Sequence, residues 1–149
     1  MTMTELFLIA RIAGRTVAIS SDQVDSVVDI TEITPVPFTS AEVRGLAALR
    51  SRVVMVIDTH AALGLAESGL PPSRAVITMV DGHHYAILVD ALEDVAPFPR
   101  VALTGGIAVD GGWARAGCGI VDRDGDPILA IDLRALIPGT ALPGVAIAA

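Results

Sequence analysis

Two stretches of the chain repeat nearly the same residue pattern at a constant distance. Residues 12–27 align with 80–95 at an offset of 68, and residues 45–63 align with 119–137 at an offset of 74. A constant offset indicates two similar structural units in tandem, with about six extra residues in the middle of the second. Whatever the fold is, it must accommodate the same unit twice.

Each unit consists of short apolar runs of five to seven residues separated by turn residues, as at Arg50-Ser51 and Asp124-Gly125. Such spacing leaves little room for long helices and is typical of barrels and sandwiches. The sequence therefore predicts an all-β fold of two tandem five-stranded barrels, packed together and with short helical turns. The strand that starts at Leu92 is predicted to break at Pro97 and Pro99.

The repeat also predicts the division of the chain. We expect one domain made of two subdomains, at about 4–66 and 74–139, that share an apolar interface. Residues 67–73 form the predicted linker, and residues 140–149 form a small apolar tail.

Composition excludes several classes of partner. The net charge is −7, from 10 basic and 17 acidic residues. No basic stripe exists to contact phosphate, which argues against binding to nucleic acid or to an anionic membrane surface. The first apolar run, Leu6–Ala10, is too short for a signal peptide or a membrane span, so we expect a cytoplasmic protein with no direct membrane insertion.

No recognisable catalytic set accompanies the repeat. Asp58 and Asp132 are equivalent and each precedes a helical turn, so both are predicted to be N-caps. With a single cysteine, Cys118, and no spaced histidine cluster, neither a metal site nor a cofactor is expected. These patterns favour a binding module. A small β-barrel hydrolase or ligand-binding protein, which would need converging carboxylates, is the alternative from another class.

Several weak motifs occur together in a definite order. The stretch from Ile33 to Asp58 contains ITPVP, then VRGLAALR, then a hydrophobic run that ends in VID. The segments FLIARIAG near the start and AILVD in the second unit follow the same pattern. Over about Leu6 to Ile137 the chain resembles the CheW family, the adaptors of bacterial chemosensory arrays.

That resemblance implies two SH3-like barrels with a hydrophobic groove between them and a non-catalytic role. It implies that the protein couples methyl-accepting chemoreceptors, through their cytoplasmic tip, to the regulatory domain of a CheA-type histidine kinase. Self-association in arrays is also consistent with it. The matching receptor-binding positions are Gly45, Arg50, Ala86, Leu92 and Val95, and the positions that bind the kinase or flank the groove are Val24 and Val27.

The chain departs from the family pattern near Arg50. Ala48, Ser51 and Met55 stand where the family has Asn, Gly and often Pro. Because Asn and Gly shape the turn that presents the arginine, a second reading remains open. In that reading, a divergent CheW-like protein binds or localises the kinase without receptor coupling.

Overall fold

The computed structural model describes residues 4–37, 40–65, 73–103, 109 and 111–138. These residues form ten strands, two short α-helices and two 3-10 helices. The strands are β1 Thr4–Ile12, β2 Arg15–Ser20, β3 Ser26–Asp29, β4 Val43–Leu49, β5 Arg52–Ile57, β6 Arg74–Val80, β7 His83–Val89, β8 Ala91–Val101, β9 Gly117–Arg123 and β10 Asp126–Ile131. The helices are α1 Thr59–Ala62 and α2 Gly111–Ala116, and the 3-10 helices are Ser21–Gln23 and Leu133–Leu136.

The strands form two five-stranded sheets, so the predicted all-β fold is confirmed. Sheet 1 has the order β1-β2-β10-β9-β8 and closes into a barrel through the pairing of β8 with β1. Sheet 2 has the order β3-β6-β7-β5-β4. Its edge strands are β3 and β4, and the isolated bridge between Thr34 and Leu46 links the chain after β3 to β4.

The two sheets do not follow the order of the sequence repeat. Sheet 1 combines the hairpin β1–β2 with β8–β10, and sheet 2 combines β3–β5 with the hairpin β6–β7. Each unit therefore gives its first hairpin to the sheet completed by the other unit. This differs from the expected sequential subdomains at 4–66 and 74–139. Of the predicted linker only Ser73 is described, and the tail 140–149 lies outside the described residues.

Strand registers match across the repeat. In sheet 1 the parallel pair β2–β10 places Val17 opposite Leu129, and in sheet 2 the parallel pair β7–β5 places Tyr85 opposite Met55. These pairs are related by the same offsets of 68 and 74 that relate the sequences. The repeat in sequence is thus a repeat in structure, and positions in the two sheets can be compared one for one.

Alternation along the strands separates three apolar layers. In β1, Phe7 and Ile9 point into the sheet 1 barrel, whereas Leu8, Ala10 and Ile12 point the other way. Those three belong to the largest cluster, which also takes side chains from β6 and β7 and fills the seam between the sheets. Because both faces of these strands are buried, the strands are apolar nearly throughout.

Side chains of α1, α2 and the second 3-10 helix also pack into this seam. Asp58 caps α1 by accepting a hydrogen bond from Ala61 N, and Asp132 caps the second 3-10 helix by accepting one from Arg134 N. Both predicted N-caps are confirmed. Trp113 of α2 is buried in the seam, with the Arg15 guanidinium 5.1 Å from its ring centre. None of the helices in the described ranges is long and apolar enough to cross a membrane.

β8 is longer than predicted. It runs through Pro97 and Pro99, which pair with Leu6 and Thr4 of β1. On its other side β8 meets β9 only from Arg100 onward. Along the prolines β8 is thus an edge strand, where a missing N–H is tolerated.

Candidate protein-docking cleft

A cleft of about 700 Å³ lies between β3 and the β4–β5 turn of sheet 2. Its floor contains Val28, Leu49 and Ile77, which belong to or pack against the interior core of that sheet. The cleft exists because β3 and β4 do not pair with one another. Unpaired strand edges beside apolar side chains are a form of surface that proteins use to bind other proteins.

Arg50 stands on the lip of the cleft, at the tip of the β4–β5 hairpin. Leu49 pairs with Arg52, so Arg50 and Ser51 form a two-residue turn. Arg50 has φ +55°, the left-handed conformation that such hairpin turns require. The side chain is exposed, and among the described residues it has no ion-pair partner. A guanidinium in this position is free to pair with a partner's carboxylate.

The two edges of the cleft carry opposite charge. Arg50 and Arg52 lie on the turn, and Asp25 and Asp29 lie on the β3 side. Asp29 accepts a hydrogen bond from Arg74 Nε at 2.7 Å, and Arg52 Nη1 donates to His84 Nε2. No basic side chain of the described residues pairs with Asp25, which is exposed.

The predicted groove residues Val24 and Val27 lie beside this cleft. Val27 is 37% exposed, lines the cleft and pairs with Val76 of β6. Val24 follows the first 3-10 helix and packs partly against the seam core. The structure therefore brings Val27 and Arg50 to one surface, which sequence spacing alone did not require.

Gly45 serves the internal packing of sheet 2. It lies at a bulge in β4 with φ +151°, and it is buried. A Cβ at this position would lie 2.3 Å from the Thr34 carbonyl oxygen. The backbone that approaches Gly45 closely is the chain's own segment after β3. The space beside Gly45 is not a gap open to a partner.

The remaining predicted receptor-binding residues do not join the cleft. Ala86 is fully buried inside sheet 2, so its side chain is inaccessible to a partner. Leu92 and Val95 lie on β8 of sheet 1, opposite Ala10 and Leu8. Val95 is 54% exposed, whereas Leu92 is partly buried against the seam core.

The single thiol and the two capping carboxylates lie outside the cleft. Burial raises the pKa of the Cys118 thiol, an effect that the nearby Arg100 guanidinium only partly offsets, so the reactive thiolate is disfavoured. In the described ranges, no group of three or more His, Cys, Asp or Glu side chains could hold a metal ion. Asp58 and Asp132 are engaged as caps at separate helices.

A protein-family model described as CheW-like domain matches residues 6–140. The chain belongs to this family. Among solved structures it is similar to the scaffolding protein TtCheW from Thermoanaerobacter tengcongensis, with a TM-score of 0.78 and 24% identity. The alignment covers 91% of this chain and 94% of that one. No curated protein sequence matches the chain significantly.

Three residues that line the cleft, Asp25, Asp29 and Leu49, are not among the site residues predicted from the sequence. Their common property is position on or near two strand edges that remain unpaired. The signal that could have revealed them is the repeat itself, because their counterparts in sheet 1 include the charged residues Glu93 and Arg123.

Proposed function

We propose that this CheW-like protein is a non-catalytic adaptor that couples chemoreceptors to a CheA-type histidine kinase. The match to the family over residues 6–140 carries the proposal. TtCheW, which shares the fold, is described as a scaffolding protein. The adaptor acts in the cytoplasm, at membrane-associated receptor arrays that it reaches through its partners.

Two separate exposed surfaces support a role in bridging. The cleft of sheet 2 presents Val27 and Arg50, and the outer side of β8 in sheet 1 presents Val95. They lie on different sheets, so one partner need not displace another. Exposed apolar side chains beside charged ones are typical of protein interfaces. We assign receptor binding to the surface around Arg50.

The proposal is tested by measuring two affinities for the purified full chain. One probe is the regulatory domain of a CheA-type kinase, and the other is the cytoplasmic hairpin of a chemoreceptor. Binding of both, singly and together, is the expected result. If the protein binds the kinase alone, the result favours the alternative, in which it binds or localises the kinase without receptor coupling. Binding of neither would refute the proposal.

Charge reversal at Arg50 tests the receptor-binding surface. Arg50→Glu is expected to weaken receptor binding about tenfold and to leave the unfolding transition unchanged, because the side chain is exposed and makes no internal ion pair. The matched control is Asp124→Arg. Asp124 occupies the equivalent hairpin turn of sheet 1 with φ +52°, so it reports the effect of reversing charge at such a turn. Unchanged receptor affinity in Arg50→Glu would remove Arg50 from the site.

A further inference from the structure

The two sheets differ sharply at one equivalent position. In sheet 1, Glu93 of β8 is held between two arginines. Arg11 Nη2 lies 3.1 Å from Glu93 Oε2, and Arg123 Nη1 lies 3.5 Å from Glu93 Oε1. The three side chains come from β1, β8 and the end of β9. Together they tie the β9–β10 hairpin to β8.

The counterparts in sheet 2 follow from the shared register. Ser26 pairs with Ile77 as Asp94 pairs with Ile9, so Asp25 corresponds to Glu93. The same offset of 68 relates Arg11 to Met79. On the other side, Leu49 pairs with Arg52 as Arg123 pairs with Asp126. Leu49 therefore corresponds to Arg123.

Sheet 2 thus keeps the carboxylate and lacks both cations. Asp25 lines the open cleft, with apolar Leu49 opposite it, and apolar Met79 on β6 is 56% exposed. In sheet 1 the carboxylate is paired with two arginines of the same chain. The equivalent carboxylate of sheet 2, Asp25, faces an open cleft. An exposed apolar side chain beside an unneutralised carboxylate is complementary to a basic side chain with an aliphatic stem.

We infer that the cleft of sheet 2 receives an arginine or lysine from a partner protein. The cation pairs with Asp25, and the apolar part of the same segment covers Leu49. The partner thereby supplies from outside what Arg11 and Arg123 supply within sheet 1. The inference rests on the proposed adaptor function, since the partner that it concerns is the receptor, to which the surface around Arg50 is assigned.

The neighbouring charges favour Asp25 as the acceptor of that cation. Asp29, the other acid of the cleft, already pairs with Arg74. Arg50 and Arg52 lie on the opposite edge, so an incoming cation is directed toward the β3 side by repulsion from the turn. A carboxylate of the same partner can then pair with Arg50.

Asp25→Asn tests the inference with little change of shape. The kinase regulatory domain and the receptor hairpin serve as probes, and the full chain is used. We expect about a tenfold loss of affinity for the receptor hairpin, no change for the kinase domain, and a weaker salt dependence of the receptor affinity. Asp22→Asn is the matched control, because Asp22 is an exposed acid three positions earlier that does not line the cleft.

Met79→Arg tests the same inference by giving Asp25 a cation from its own chain. It gives sheet 2 an arginine at the position that Arg11 occupies in sheet 1, so Asp25 acquires an internal partner. This variant is expected to weaken binding of the same probe that Asp25→Asn weakens. In the double variant Asp25→Asn with Met79→Arg, the second substitution should add little further loss.

The outcomes separate this inference from the proposed function. If wild-type protein binds neither probe, the adaptor function fails. If it binds both probes and Asp25→Asn binds the receptor hairpin within twofold of wild type, the adaptor function stands and the inference about Asp25 is overturned. Asp25→Asn decides the matter even if Met79→Arg fails to fold.

Discussion

Gly45→Ala is expected to destabilise the protein by removing the link between the two edges of sheet 2. The new Cβ would lie 2.3 Å from the Thr34 carbonyl oxygen and 2.9 Å from Ile33 Cγ2. Optimal nonbonded contacts between carbon atoms are about 3.5–4 Å, so the segment that carries Thr34 must retreat by about 1 Å or more.

That retreat affects both hydrogen bonds of the bridge. Thr34 N donates to Leu46 O at 2.8 Å, and Leu46 N donates to Thr34 O at 2.9 Å. Losing them costs about 1 kcal/mol each. A φ of +151° at a residue with a side chain adds about 1–3 kcal/mol. Alanine also restricts the unfolded chain, which offsets about 0.4–1 kcal/mol. The net loss in the free energy of unfolding is about 2–5 kcal/mol.

Urea unfolding followed by circular dichroism measures this loss. The control is Gly82→Ala, because Gly82 also has positive φ, +80°, but apart from its two chain neighbours no atom of the described residues lies within 4 Å of the added Cβ. That variant carries the conformational cost alone, about 1–2 kcal/mol. If Gly45→Ala costs no more than Gly82→Ala, the contact with Thr34 does not constrain the fold and the argument is wrong.

Two further predictions concern the cap and the exchanged hairpins. Burial of Asp132 raises the pKa of its carboxyl, but hydrogen bonds from Gln23 and Arg134 outweigh this and the net pKa is lowered. The contribution of the Asp132 carboxylate to the free energy of unfolding is therefore complete above the ordinary carboxyl pKa. It is lost as pH falls through the pKa of the folded state. Asp132→Ala should cost about 1 kcal/mol at pH 7 and less in acid, as measured by urea unfolding at several pH values. Cutting the chain between residues 69 and 70 should give two fragments that are unfolded alone and regain native circular dichroism when mixed, because each sheet needs strands from both. A cooperative transition of fragment 1–69 alone would contradict this.

Local features of the fold were predictable from the sequence because their causes are local. The hairpin turn at Arg50-Ser51 needs only two residues between apolar runs. The caps Asp58 and Asp132 need only a carboxylate ahead of a helical turn. The order of the strands is not local. The repeat shows that β1–β2 and β6–β7 are equivalent, but it does not show which sheet each hairpin enters.

The orientation of Ala86 shows a second limit. Period-two alternation places Ala86 and Ile87 on opposite faces of β7, and both faces are apolar. One face of β7 lies inside sheet 2 and the other lies in the seam between the sheets. Because both are apolar, the hydrophobic pattern does not indicate which residues belong to which face. Ala86, which the family resemblance gave as a receptor-binding position, is buried in sheet 2. The cleft itself was not predictable, because it depends on the missing pairing between β3 and β4.

The exchange of hairpins has a consequence for synthesis on the ribosome. β1–β2 emerges first, yet the barrel it belongs to closes only when β10, ending at Ile131, has been made. Sheet 2, complete once Val89 has emerged, is finished earlier. At translation rates of about 5–20 residues per second, the nascent hairpin waits on the order of 10 s with its apolar faces uncovered.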